Sequence, residues 1–183
     1  MFDPDQYDAG VNSQNWRLIN RKQGAMGTQL FQWADSFSVG IEEIDEQHKE
    51  LVDLLNRLHT AIIEHHGTET SRKILDDLAD YTKTHFLVEE SLMRVSGYPD
   101  FEVHKQFHED LIGQVVALQE KLDSGEAKIT FELLHFLKMW LMNHINEADK
   151  RFGAYFAEAG GGTQWAPHVK ATMEKKKWWW KFW

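Results

Sequence analysis

Four long stretches of this chain repeat apolar residues at spacings of three and four, and every one of them sets a histidine inside its apolar stripe. That period puts the repeated residues on one face of an α-helix. The first stretch has Ile41, Ile44, His48, Leu51, Val52, Leu55, Leu58 and Ile62, and the second has Leu78, Tyr81, His85 and Leu92. The third has Phe101, His104, His108, Leu111 and Val115, and the fourth has Leu133, Leu137, Trp140, Leu141, His144 and Ile145. Glycine- and polar-rich turns separate them: HHGTET at 65–70, SGYPD at 96–100 and DSGEAKIT at 123–130. The pattern predicts helices near 40–65, 69–95, 100–123 and 130–158, with loops short enough to make successive helices antiparallel neighbours. The expected fold is all-α, an antiparallel up-and-down four-helix bundle over residues 31–158. Residues 1–30 are polar and weakly patterned and read as an N-terminal extension, disordered or left over from cloning around GAMG at 24–27. Residues 159–183 read as a C-terminal tail.

Composition limits what the histidines can be for. The chain has no cysteine, which excludes disulfides, thiolate zinc sites, iron–sulfur clusters and cysteine nucleophiles. Any metal must be held by histidine and carboxylate. A formal net charge of -9 argues against nucleic acid as a partner, since phosphate binding needs clustered Lys and Arg. No apolar run approaches the roughly 18 residues of a membrane span, and the start lacks a charged n-region followed by an apolar stretch. The expectation is a cytoplasmic protein.

A single core-facing histidine is more often a hydrogen-bonded polar residue than a ligand. Here there are five, His48, His85, His104, His108 and His144, and two carboxylates follow at helical spacing, Glu89 four after His85 and Asp149 five after His144. Four residues turn a helix by roughly 400°, so His104 with His108, and His85 with Glu89, stack on one face about 6 Å apart. Asp149 fits less well, being turned roughly 140° from His144 in a regular helix. It needs a long reach or a local distortion of the backbone. Burying two carboxylates and five imidazoles with no cation costs on the order of several kcal/mol per group. Seven such residues exceed one tetrahedral zinc but suit two octahedral ions, of which iron is the natural choice, sharing the carboxylates. The pair His104/His108 is no zinc-protease motif, because Lys105 stands where the general base would be needed. His59, His65, His66, His135 and His168 lie too far along a helix, on an opposite face, in a loop or in the tail.

The stretches IDEQH at 44–48, HFLVEE at 85–90, YPDFEVHKQFH at 98–108 and WLMNHINEAD at 140–149 resemble, in order and spacing, the pattern of the hemerythrin family. The resemblance covers about residues 31–156 and is greatest to the single-domain bacteriohemerythrins. It implies a four-helix bundle around a non-haem di-iron centre, two iron ions (Fe2+/Fe3+) with a bridging oxo or hydroxo group. By the same resemblance His104, His108 and His144 hold one iron, His48 and His85 the other, and Glu89 and Asp149 bridge them. The second iron then has an open position for dioxygen. The implied function is reversible dioxygen binding for storage or for delivery to oxygen-consuming enzymes, with no catalytic residues. Five neutral imidazoles support high-valent iron less well than the Glu-rich sets of di-iron oxygenases do. An oxygen or redox sensor, and a di-iron oxidase or peroxidase, are the competing readings. The one Glu-x-x-His, Glu132 to His135, faces away from the ligand side of its helix. Phe86, Trp140, Leu141 and Ile145 flank the ligands and are expected either to form a dry oxygen pocket or simply to pack the core.

The chain ends in Lys175, Lys176, Lys177, Trp178, Trp179, Trp180, Lys181, Phe182 and Trp183. Cationic and aromatic side chains together favour the headgroup layer of an anionic membrane, and the segment is too short to span one. Peripheral contact with the inner membrane is one expectation; folding back on the bundle or self-association is the other.

Overall fold

The computed structural model describes residues 29–160. Most of the expected N-terminal extension and the Lys/Trp-rich end fall outside that range. Four long helical stretches follow a short 3-10 turn, Asp35–Phe37: α1 Glu42–Ile63, α2 Thr68–Ser96, α3 Phe101–Asp123, and a last stretch built from α4 Phe131–Asn143, a π-helical segment His144–Asp149 and α5 Lys150–Glu158. Helix α1 packs against α2 and α4, and α2 packs against α3. Short connections make each helix antiparallel to the next, as the sequence predicts. The expected and observed helix limits agree within two residues, because strong local signals mark each end.

Helix α1 carries Glu42, Glu43 and Asp45 in its first turn, where negative charge opposes the positive end of the helix dipole. Asp45 also reaches back to accept hydrogen bonds from the Val39 amide (2.8 Å) and the Ser38 hydroxyl (2.6 Å). Helix α2 stops at Gly97, whose φ of +70 suits glycine, and the Tyr98 amide closes the turn on the Met93 carbonyl at 2.9 Å. Thr130 caps α4 by accepting from the Leu133 amide.

The core runs the length of the bundle. In the half where α1 ends and α2 begins it is built of Leu54, Leu55, Leu58, Leu75 and Leu134, all buried. The other half closes differently. Val39, upstream of α1, is buried against the bundle there, whereas Phe31, further upstream, is buried alongside the later turns of α1, where it exchanges two backbone hydrogen bonds with the Asn56 side chain (3.0 and 2.8 Å). Val39 lies against Gly153 of α5 so tightly that a Cβ there would sit 2.0 Å from the Val39 carbonyl oxygen. The hydroxyl of Tyr155, two residues after Gly153, reaches the carbonyls of Ser96 (2.9 Å) and Gly97 (3.0 Å) and ties α5 to the end of α2. Among the described residues no helix is long and apolar enough to cross a membrane.

Candidate metal centre

All seven ligand-type residues expected from the sequence meet in the half of the bundle closed by Val39 and Gly153. His48 comes from α1, His85 and Glu89 from α2, His104 and His108 from α3, and His144 and Asp149 from the two ends of the π-helical segment. None is more than 7% exposed. Their nitrogen and oxygen atoms fall into two sets, each within 4.8 Å of one another: Glu89, His104, His108, His144 and Asp149 in one, and His48, His85 and Asp149 in the other. Asp149 belongs to both.

The π-helical segment accounts for the residue that the helical wheel places badly. Bonding from residue i to i+5 widens each turn, so residues five apart come nearly into line. His144 and Asp149 are such a pair, and their Nε2 and Oδ1 atoms lie 2.9 Å apart. One inserted residue in an otherwise regular helix thus turns Asp149 inward. The sequence shows that a distortion is needed there; which backbone form supplies it depends on packing that a periodicity cannot show.

The cluster is electrically incomplete as a set of protein groups. His48 Nε2 lies 3.2 Å from Asp149 Oδ2, His104 Nε2 lies 3.2 Å from Asp149 Oδ1 and 3.4 Å from Glu89 Oε2, and His108 Nε2 lies 3.4 Å from the same Glu89 oxygen. Yet both nitrogens of His48, His104 Nε2 and all four carboxylate oxygens of Glu89 and Asp149 are buried without a hydrogen-bond partner. Buried polar atoms are nearly always paired, and each one left alone costs about 1–3 kcal/mol. Burial opposes charge on Asp149, but His144, His104 and His48 hold its carboxyl well below the usual range. Burial and Asp149 oppose charge on Glu89, but the His104 and His108 imidazoles, each 3.4 Å from its Oε2, draw it down to about 2. Burial likewise disfavours a charged His104, yet the two carboxylates raise it to about 9. His85, governed by burial and by the neighbouring His48, is lowered to about 3. Two anions therefore persist in the core and attract positive charge to the point where the imidazole nitrogens converge. A mixed imidazole and carboxylate donor set around such a point fits divalent iron.

Around this centre the four expected pocket residues divide. Trp140 and Leu141 line an apolar cavity of about 40 Å³, together with Leu51, Leu55, Leu111 and Leu137. Phe86 instead stacks flat on His108, ring centres 3.7 Å apart at 4°. Ile145 is fully buried in the main core. Trp140 also stacks on His144, at 4.5 Å and 13°. The cavity leucines were read from the sequence as helix-face core residues, and nothing in the pattern separates a lining leucine from a packed one. Two further residues escape the sequence reading. Gln47 Oε1 lies 3.0 Å from His85 Nδ1, and Glu90 Oε1 lies 3.1 Å from His108 Nδ1. Each is the chain neighbour of a ligand-type residue, His48 and Glu89, and adjacency is the one signal that could have flagged them. Among the described residues the other histidines stay apart: His59 packs near Phe131 at 6.3 Å, His66 pairs with Glu64 at 2.8 Å, and Glu132 and His135 are both exposed; His168 lies outside the described residues.

Comparison with known proteins gives the same family as the motifs. Residues 39–156 match the model of the hemerythrin HHE cation binding domain. The chain is 38% identical over 125 residues to the bacteriohemerythrin of Methylococcus capsulatus (strain Bath), covering 68% of this chain and 95% of that protein. It is 37% identical to the bacteriohemerythrin of Stenotrophomonas maltophilia, covering 67% of this chain and 79% of that protein. A crystal structure of wild-type hemerythrin superposes with a TM-score of 0.66 at 36% identity, over 68% of this chain and 96% of that one. The fold, the converging donor set and these matches together show that the chain belongs to the hemerythrin family.

Proposed function

We propose that the chain binds dioxygen reversibly at two iron ions, for oxygen storage or delivery to oxygen-consuming enzymes. In this reading His104, His108 and His144 would hold one ion and His48 and His85 the other; Asp149 lies in both donor sets, and Glu89, which lies in the first, would have to reach across to serve both. The observation that carries it is the pair of buried donor sets joined at Asp149, whose carboxylate oxygens have no hydrogen-bond partner. Two ferrous ions, when bound, supply the two electrons that oxygen uptake draws on and recover them on release. The rest is the work of the chain. Five neutral imidazoles and two carboxylates leave the site with less negative charge than a carboxylate-rich set, which favours return of the electrons over further oxidation. Trp140, Leu141 and the cavity leucines, with Thr82, give the cavity an almost wholly apolar lining, which would admit a gas molecule and disfavour water. The rings of Phe86 and Trp140, stacked on His108 and His144, hold those imidazoles in place.

An oxidase or peroxidase reading lacks support in the site. Such enzymes carry two Glu-x-x-His pairs aimed at the metals, whereas the one Glu-x-x-His of this sequence, Glu132 to His135, faces solvent. The test is the absorption spectrum of iron-loaded protein reduced without air, then exposed to air, then returned to vacuum. A visible band that comes with air and goes under vacuum supports reversible binding. Direct conversion to a permanently oxidised form with no reversible band would move the reading to an oxidase or a sensor.

The cationic and aromatic end, Lys175 to Trp183, adds contact with an anionic membrane surface to the proposal. Sedimentation with anionic liposomes, comparing the full chain with one truncated after Met173, tests it. Equal pelleting would remove it.

A further inference from the structure

Among the described residues, the hydrogen bonds on the outer ring nitrogens of the centre's histidines are unequal. His85 Nδ1 meets Gln47 Oε1 at 3.0 Å, reaching from α2 to α1, and His108 Nδ1 meets Glu90 Oε1 at 3.1 Å, reaching from α3 to α2. In each pair the Nδ1–H donates to the side-chain oxygen, which fixes the tautomer and leaves Nε2 free to turn inward. For His108 this is visible directly: its Nε2 lies 3.0 Å from His144 Nε2 and 3.4 Å from Glu89 Oε2. The two outer partners have nearly the same shape and differ in charge. Gln47 is neutral and backs the donor set of His48, His85 and Asp149; Glu90 is a carboxylate and backs the set of Glu89, His104, His108, His144 and Asp149. The Glu90 side chain is 14% exposed, so solvent screens it little. Phe86, flat against His108, keeps that ring from turning away.

We propose that Glu90 is a positioning residue that acts through His108 to make the His104/His108/His144 position the more easily oxidised of the two, while Gln47 orients His85 without adding charge. The inference rests on the di-iron reading. A carboxylate that accepts a hydrogen bond from imidazole pushes electron density toward the metal-facing nitrogen, and a negative charge nearby favours the ion with one more positive charge. When a bound ferrous ion gives up one electron to an oxidant, the ferric product is thus stabilised more at the Glu90-backed position. The sequence holds this asymmetry in two residues, each next to a ligand.

The experiment compares the full chain with E90Q, E90A and Q47E, each loaded with ferrous iron without air, by iron analysis and by optical redox titration with mediators. E90Q keeps the acceptor oxygen and removes the charge, so the expected result is two irons per chain and a ferric-to-ferrous ratio about tenfold lower at a fixed potential. For one electron that is a positive shift of about 59 mV. Q47E is expected to shift a step in the opposite direction. E90A also frees the ring and is expected to weaken iron retention by about 10-fold or more. If E90Q titrates like the parent and E90A alone departs, Glu90 only orients the ring and the proposal is wrong. Shifts of the same sign in E90Q and Q47E also overturn it. A parent chain that takes up no iron overturns both this inference and the reading beneath it.

Discussion

The same four helices build two halves of one core that bury opposite kinds of surface. In the half around Leu54, Leu55, Leu58, Leu75 and Leu134 the large buried side chains are apolar, and each buried leucine contributes about 1.5–3 kcal/mol to folding. In the other half the buried set includes five imidazoles and two carboxylates, with seven nitrogen and oxygen atoms lacking a hydrogen-bond partner. The backbone follows the same division. The leucine half is regular α-helix, whereas the other contains the π-helical segment His144–Asp149 and the close approach of Gly153 to Val39. One half holds the fold together and tolerates the other, which is arranged to be completed by cations. A change in the first should alter stability and leave ion content alone; a change in the second should alter both.

Removing the ions breaks the comparison most. Stripping iron with a chelator leaves the two buried carboxylates uncompensated, which costs about 3–5 kcal/mol. The stripped chain should melt well below the loaded one by circular dichroism. Asp149→Ala sharpens the point, because Asp149 alone belongs to both donor sets. Iron analysis should show loss of both ions, and a variant that keeps one ion at full occupancy would mean that the carboxylate is not shared. The next effect belongs to the other half. Leu58 is fully buried, and Leu58→Ala should destabilise by about 2–5 kcal/mol in urea unfolding while iron per chain stays at the parent level. A loss of iron in that variant would show that the halves are coupled.

How much of this could be read from the sequence follows the same line. Helix limits were legible because glycine, proline and capping residues mark them, as at Gly97 and Thr130. The seven residues of the centre stood out because polar side chains interrupt apolar stripes, and such interruptions are rare without a reason. Asp149 was legible by chemistry but not by geometry, since its inward turn depends on one inserted residue in the helix. Gln47 and Glu90 were marked by nothing but adjacency to a ligand-type residue. They look like ordinary polar residues beside His48 and Glu89, and only the packing of neighbouring helices brings them onto His85 and His108. The same holds for the division of Phe86 and Ile145 from Trp140 and Leu141, which is a matter of rotamer and depth.

The smaller effects probe the seam that closes the centre's half of the bundle. Gly153→Ala places a methyl carbon 2.0 Å from the Val39 carbonyl oxygen, so backbone must move. Overpacking of this kind costs about 1–3 kcal/mol, and thermal melting should show it. Because Gly153 lies one turn beyond Asp149, the shift should also lower iron retention, which Leu58→Ala should not. Tyr155→Phe is milder. It removes the hydroxyl that reaches the Ser96 and Gly97 carbonyls and should cost about 0.5–1.5 kcal/mol. Its value lies in position. Tyr155 touches no ligand-type residue by hydrogen bond, yet it holds α5 against the end of the helix that carries His85 and Glu89. If its loss lowers melting temperature and iron content together, the site depends on how the helix ends are tied as well as on its ligands. If iron content is unchanged, the donor set is held by the helices themselves, and the seam serves stability alone.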